Sequence, residues 1–259
     1  MDRWDGGNDY DKFMGRWSRV VAAGFLKGLT TPPGMTWLDV GCGTGALSEA
    51  IVAAMNPLSV FAVDSSPDFV EYARTQLRER AAIEVASAAR LPFPDKTFDV
   101  LVSGLLLNFV ADPAAAIAEW ARVTRTGGKI AAYVWDYADG MEFLRRFWDA
   151  ATNLDAAAVD VDEGVRFPIC QPGPLVALFT QSGLTEVASG SVQIETIFTG
   201  FDDYWAPFLT GQGPAPTYVS TLDEHSRSRL ENALRTSLPA GPNGEIELTA
   251  RAWTVVATV

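Results

Sequence analysis

The chain has 259 residues, enough for one large domain or one domain with an elaborated cap. Hydrophobic residues make up 48% and charged residues 20%, an ordinary globular balance with ample core material. Lys and Arg number 20 against 32 Asp and Glu, and the resulting net charge of −12 repels phosphodiester backbones, which argues against nucleic acid as a partner.

The two cysteines, Cys42 and Cys170, are far apart and one sits in a glycine turn, so neither a disulfide framework nor a metal site is expected. The first 30 residues carry Arg3, Lys12, Arg16 and Arg19 among several acids and no long apolar core, unlike a secretory signal. No run of about 18 apolar residues marks a membrane span. The expectation is a cytoplasmic protein away from membranes; nothing in the sequence specifies an oligomeric state.

In chain order, residues 10–29 predict a helix, with Phe13, Trp17, Val20, Val21, Phe25 and Leu29 near helical spacing, stopped by "TTPPG". "MTWLDVG" at 35–41 reads as a buried strand, followed after the glycines by the helix "ALSEAIVAAM". A second strand, 59–64, leads into a helix over 66–80, capped by Ser66 with Pro67 in its first turn. A third strand at 82–88, a fourth at 98–107, a helix at 112–124 and a fifth strand at 127–137 follow. Strands apolar on both faces that alternate with helices predict a parallel sheet covered by helices. Beyond residue 137 the pattern changes: helices at 140–154 and 171–183, an extended stretch at 184–198, helical and loop material over 201–240, and a last strand at 245–259.

The stretch "LDVGCGTG" places Gly41, Gly43 and Gly45 between a strand and a helix, a corner where unpaired helix N–H groups receive anions or nucleotides. Its G-x-G-x-G spacing puts Ala46 where a dinucleotide fingerprint has its third glycine, and no Walker Lys-Ser/Thr follows. Glycines here also serve close packing of helix on strand. Asp64 ends the second strand 19 residues after Gly45, where an acid accepts hydrogen bonds from ribose hydroxyls; its other reading is a helix cap. Asp39 adds a carboxylate that would repel a pyrophosphate but not a cation.

"LDVGCGTG", "VDSSPDFVEYAR", "LPFPDKTFDVLVSGLLLNFVADP" and "EWARVTRTGGKIAAYVWDY", in this order, resemble the class I S-adenosylmethionine-dependent methyltransferases, in the small-molecule branch with the ubiquinone/menaquinone C-methyltransferases. The resemblance covers residues 10 to 137. It implies S-adenosylmethionine as cofactor. Gly41, Cys42 and Gly43 would lie along its methionine and ribose, and Asp39 would hold its amino group. Asp64 would bind the ribose hydroxyls, with Ser65 beside the adenine; the Ser103 carbonyl would face the amino group, and Leu105 would pack near the adenine or sulfonium. Two positions depart from the family. Ser87 stands where an Asp usually receives the adenine amino group, a neutral contact weaker by about 1 kcal/mol, although the Ala88 N–H can still meet the ring. Asn108 replaces a frequent His and cannot act as a base at neutral pH.

On the acceptor side, methyl transfer from a sulfonium is an in-line displacement helped chiefly by alignment. The sole histidine, His225, sits in the charged stretch "TLDEHSRSR" and reads as a surface residue. Asp136 and Tyr137, just past the fifth strand, are catalytic candidates by topology, and cap the next helix in the alternative reading; Asn108 is the third candidate. Tyr10 and Arg16 are candidates to cover the cofactor, with Arg16 meeting its carboxylate, or are parts of a packing helix. Trp135, Tyr137, Phe143, Phe147, Trp148, Tyr204, Trp205 and Phe208 are each core formers singly. Together they suggest an apolar lid over a partly apolar or aromatic acceptor, and aromatic faces also suit a sulfonium.

The expected architecture is α/β: a Rossmann-like three-layer sandwich with a seven-stranded, mostly parallel sheet, its last strand antiparallel. The order 3-2-1-4-5-7-6 comes from the resemblance. The chain reads as a single domain over 1–259, with an N-terminal helix or lid at 1–30, a cofactor-binding core at 36–137, a partly helical cap at 138–240 and the last strand at 245–259. The expected function is S-adenosylmethionine-dependent methylation of a small molecule. The alternatives are a cofactor-binding regulatory module without turnover, or a nicotinamide-dependent oxidoreductase, against which Asp39 and the glycine spacing count.

Overall fold

The structure, a computed structural model, describes residues 15–211 and 213–259. Helix α1 (Arg16–Lys27) buries Trp17, Val21, Ala22, Phe25 and Leu26, and leaves Val20 on the outer face at 47% exposure. The apolar stripe therefore runs one position away from where Val20 would put it. Strand β1 (Thr36–Val40) ends in the glycine turn, and α2 (Ala46–Ala54) begins directly behind it. Strand β2 (Ser59–Asp64) leads into α3 (Pro67–Leu77), where the Ser66 hydroxyl accepts a bond from Phe69 N at 3.4 Å and Pro67 occupies the first turn. Here a donor-free residue costs nothing, because first-turn N–H groups have no helical partner.

Strands β3 (Ala82–Val85) and β4 (Phe98–Gly104) are shorter than the apolar runs suggest, and the residues just beyond each form loops. Asp112 caps α4 (Pro113–Val123) by accepting from Ala115 N at 2.9 Å, and β5 (Thr124–Trp135) follows without a break. Then come α5 (Glu142–Leu154), a single helical turn at Glu163–Arg166, α6 (Pro172–Gln181) and the edge strand β6 (Thr185–Phe198). A short helix at Phe201–Trp205, α7 (Pro214–Thr221), α8 (Glu224–Ser237) and β7 (Ile246–Thr258) complete the described chain.

The sheet has seven strands in the order β3-β2-β1-β4-β5-β7-β6. Pairing is parallel from β3 through β5, with Asp39 in register with Ala62 of β2 and Val102 of β4. Strand β7 runs antiparallel to β5: Gly127 N meets Val259 O at one end, and Asp136 N meets Arg251 O at the other. The strand order reverses beside β1, so the carboxyl end of β1 lies at a topological switch point, where open α/β sheets receive their ligands.

The backbone groups into two compact units. One comprises Ser18–Val134, Ile169–Val192 and Ala252–Val259. Its core is built from the strands, with Trp37, Leu38, Val63, Leu101, Val102 and Ile130 buried, and with Phe61, Phe93 and Phe98 packed edge to face. The other comprises, among the described residues, 15–17, Trp135–Pro168 and Gln193–Arg251. Aromatic side chains hold it together: Phe147 stacks on Phe208 with centroids 4.5 Å apart, and Trp148, Phe198 and Tyr204 are fully buried around them. The hydroxyl of Tyr204 donates to Phe143 O at 2.8 Å. These rings pack on one another and form the core of this unit, because each brings a large apolar area that gains most when removed from water. No helix among the described residues is long and apolar enough to cross a membrane.

Candidate functional site

Gly41, Gly43 and Gly45 all have positive φ, at 75°, 52° and 90°, and each has its own reason to be glycine. A Cβ on Gly41 would lie 2.5 Å from a methyl of Leu106, and one on Gly45 would lie 3.0 Å from Leu77 of α3. Those two glycines serve close packing. A Cβ on Gly43 would meet nothing within 4 Å, so Gly43 turns its bare backbone toward open space. Both Gly41 N and Cys42 N donate to Val63 O, at 2.8 and 3.0 Å, which ties the turn to the end of β2.

Asp64 completes that tie. Its Oδ2 accepts from Gly43 N at 2.9 Å and its Oδ1 accepts from Ser66 N at 2.9 Å. Burial pushes the Asp64 carboxyl up, and the N–H groups of Ser66, Gly43 and Ser65 pull against that shift. Each oxygen keeps lone-pair capacity for a further donor. Ser66, not Asp64, caps α3; Asp64 holds the backbone just before that cap.

Asp39 is fully buried. Its Oδ2 accepts from the Ser48 hydroxyl at 2.6 Å, and its Oδ1 has no partner among the described residues. Burial, only partly offset by the Ser48 bond, pushes its pKa up to about 7. Ser103 is also buried, and its hydroxyl donates to Val40 O at 2.7 Å, joining β4 to the last residue of β1. Leu105 follows β4 at φ 60°, a strained conformation for a leucine, pinned by Leu105 N on Tyr133 O at 2.8 Å. Asn108 lies in the turn Leu107–Phe109, with both its amide nitrogen and its amide oxygen buried and unpartnered among the described residues. Ser87 is exposed, and its hydroxyl accepts from Ala89 N at 3.3 Å, while Ala88 O accepts from Trp120 Nε1 at 3.0 Å.

The hydrogen bonds thus bring together Asp39, the Gly41–Gly43 turn, Asp64 and Ser103. Other sequence candidates stand in different settings. Asp136 is fully buried and its Oδ2 accepts from Arg251 Nε at 2.8 Å and Nη2 at 2.5 Å. That carboxylate is engaged in an ion pair. Tyr137 is buried and packs against Phe167 with centroids 5.6 Å apart. Arg16 donates to Asp203 at 3.0 Å, with its guanidinium over the rings of Trp17 and Phe198. Tyr10 lies outside the described residues. His225 is exposed in the first turn of α8.

Sequence reasoning missed three partners. Ser48 is the one polar side chain among the buried residues of α2, beside Leu47 and Ile51, and a buried hydroxyl needs an acceptor. That mismatch was a signal. Leu106 and Arg251 had no comparable local signature.

The sheet order and the switch point define a Rossmann-like α/β protein. Residues 38–132 match the family described as "Methyltransferase domain". The chain is 31% identical over 133 residues to malonyl-[acyl-carrier protein] O-methyltransferase of Hahella chejuensis, covering 46% of this chain and 48% of that one. It is 35% identical over 105 residues to demethylmenaquinone methyltransferase of Bacillus licheniformis, covering 39% and 45%. With 2-methyl-6-phytyl-1,4-hydroquinone methyltransferase of Synechocystis it shares 36% over 123 residues, covering 46% and 38%. The matched region spans under half the length of these curated relatives. Among solved structures, phosphoethanolamine N-methyltransferase 2 of Haemonchus contortus superposes with a TM-score of 0.60 at 13% identity, over 96% of this chain and 57% of that one. The YcgJ protein of Bacillus subtilis superposes with a TM-score of 0.58 at 17% identity, over 94% and 98%. At such identities the likeness is one of fold.

Proposed function

We propose that the chain is an S-adenosylmethionine-dependent methyltransferase acting on a small, partly apolar acceptor. The observation that carries this reading is the Gly43–Asp64 bond of 2.9 Å beside a glycine whose Cβ position is open. A backbone held that close to an acid with spare acceptors suits a ribose, and the unpartnered Oδ1 of Asp39 suits a cationic donor nearby. The residues present therefore fit the cofactor. Gly41, Cys42 and Gly43 would line its methionine and ribose, Asp64 would accept the ribose hydroxyls, and Ser65, Ser87 and the Ala88 N–H would face the adenine. Asp39 and the Ser103 carbonyl would hold its ammonium, and Leu105 would pack near its adenine or sulfonium.

When bound, the sulfonium supplies a methyl group already activated toward a nucleophile. The chain's own work is then alignment and exclusion of water, which for a two-reactant displacement accounts for much of the rate. Asn108 orients the acceptor through an amide that has no other partner among the described residues. It moves no proton, so the acceptor is a group already ionised or one that sheds its proton after transfer. The quinone-type substrates in the names of two relatives support a ring-bearing, partly apolar acceptor.

The test is calorimetric titration with S-adenosylmethionine, S-adenosylhomocysteine and NADH, on the wild type and on Asp64→Ala, followed by an acceptor screen read as S-adenosylhomocysteine formation. Micromolar binding of the sulfur nucleotides that Asp64→Ala loses is the expected result. A preference for NADH, or no nucleotide binding, defeats the reading.

A further inference from the structure

Asp39 is the one group at this corner whose chemistry in the free chain differs from what its ligand requires. The residue is fully buried in the middle of the sheet, with Ala62 and Val102 as its register partners on either side. Its donors among the described residues both come from Ser48, the hydroxyl at 2.6 Å on Oδ2 and the backbone N–H, and Oδ1 meets nothing among the described residues. The titratable groups that face it are Asp64 at the end of β2 and the Cys42 thiol in the turn, and neither brings positive charge. A fully buried carboxylate with donors from one residue only, one oxygen left bare and a second carboxyl nearby is poorly solvated, so the neutral acid is favoured. Burial also raises the Cys42 thiol well above its ordinary range, so that group stays protonated and contributes no charge. A primary ammonium delivered to Oδ1 reverses the balance, because it supplies both the missing hydrogen bond and the missing opposite charge.

We propose that Asp39 is a neutral acid in the free chain and gives up its proton when a ligand bearing a primary ammonium binds, so that binding releases a proton to solvent. The proton leaves as the ammonium, itself still protonated, takes its place against Oδ1; charge and atoms balance. This inference rests on the proposed cofactor reading and adds to it a linkage between ligand affinity and pH. Asp39 holds about 7 as its midpoint in the free chain, so affinity falls by up to about tenfold for each pH unit below that midpoint and is level well above it.

The experiment is calorimetric titration of the whole chain with S-adenosylhomocysteine at pH 6.5, in two buffers of different ionisation enthalpy, beside 5′-methylthioadenosine, which lacks the ammonium. The expected result is an enthalpy that changes with buffer by more than half a proton's worth for S-adenosylhomocysteine and by much less for methylthioadenosine. Asp39→Asn abolishes the difference and flattens the pH profile; if that variant does not fold, the two-ligand comparison on wild type decides alone. Equal enthalpies in both buffers, or equal proton release with both ligands, overturn the proposal and leave the methyltransferase reading standing. Failure of S-adenosylhomocysteine to bind at any pH from 6 to 9 instead defeats the cofactor reading and the proposal with it.

Discussion

The Ser48 hydroxyl donates to the Asp39 carboxyl across 2.6 Å in a fully buried setting. The bond joins the first turn of α2 to β1, and so sets the angle at which the helix leaves the glycine turn. Removing it with Ser48→Ala leaves Asp39 only the backbone N–H of residue 48 as a donor. A buried group that loses its partner costs about 1–3 kcal/mol. Urea unfolding at pH 7 is expected to show a loss of that order, smaller at pH 5 where Asp39 is neutral.

The pH dependence of stability follows from the same residue. Asp39 has a folded midpoint of about 7 against an ordinary value of 3.8, and buried Glu163, which accepts from Trp148 Nε1, is pushed up by burial to about 7 as well. A carboxyl whose folded value is raised keeps its proton longer in the folded state. Its contribution is therefore present below pH 4 and is lost as pH rises toward 7. The loss is at most about 4 kcal/mol per group. Denaturation of the ligand-free chain between pH 5 and 8 is expected to show falling stability, with a shallower slope in Asp39→Asn.

The glycines of the turn should separate by substitution. Gly43→Ala strains a φ of 52° but adds a methyl to open space, so the chain is expected to fold with a loss of about 1 kcal/mol. Its nucleotide affinity should fall at least tenfold, because that methyl occupies the approach. Gly41→Ala drives a methyl to 2.5 Å from Leu106, and stability should suffer more than from Gly43→Ala. Thermal melts paired with calorimetry check both.

Arg251 and Asp136 test structure against catalysis. Arg251→Met leaves the fully buried Asp136 carboxylate without its partly exposed cation, and a buried group that loses a hydrogen-bond partner costs about 1–3 kcal/mol. Unfolding should report that loss. Asp136→Asn is expected to lower stability while single-turnover methyl transfer by the folded fraction stays near wild type; a stable but inactive variant would make Asp136 a base after all.

Asn108 carries two buried polar atoms with no partner among the described residues. Asn108→Leu removes both at similar volume. The melting midpoint should hold or rise, since unpaired buried groups cost about 1–3 kcal/mol each. Nucleotide affinity should persist and transfer to the acceptor should drop. A fall in stability would show that the amide supports the fold instead.

The Gly-rich turn, the acid 19 residues on and the alternation of strands and helices through residue 137 are local patterns, and they carried the fold class and most of the corner from sequence alone. Period and spacing specify which residues form each element, and a strand–turn–helix unit of short reach brings its own residues together. Only the tertiary structure decided what the long-range partners do. It committed Asp136 to Arg251, laid Leu106 against Gly41, aimed Ser48 at Asp39 and packed the scattered aromatics on one another. Those outcomes depend on strand register and on which helices share a face, and no local periodicity encodes them. A carboxylate at a strand end looks the same in sequence whether an arginine more than 100 residues away meets it or leaves it free.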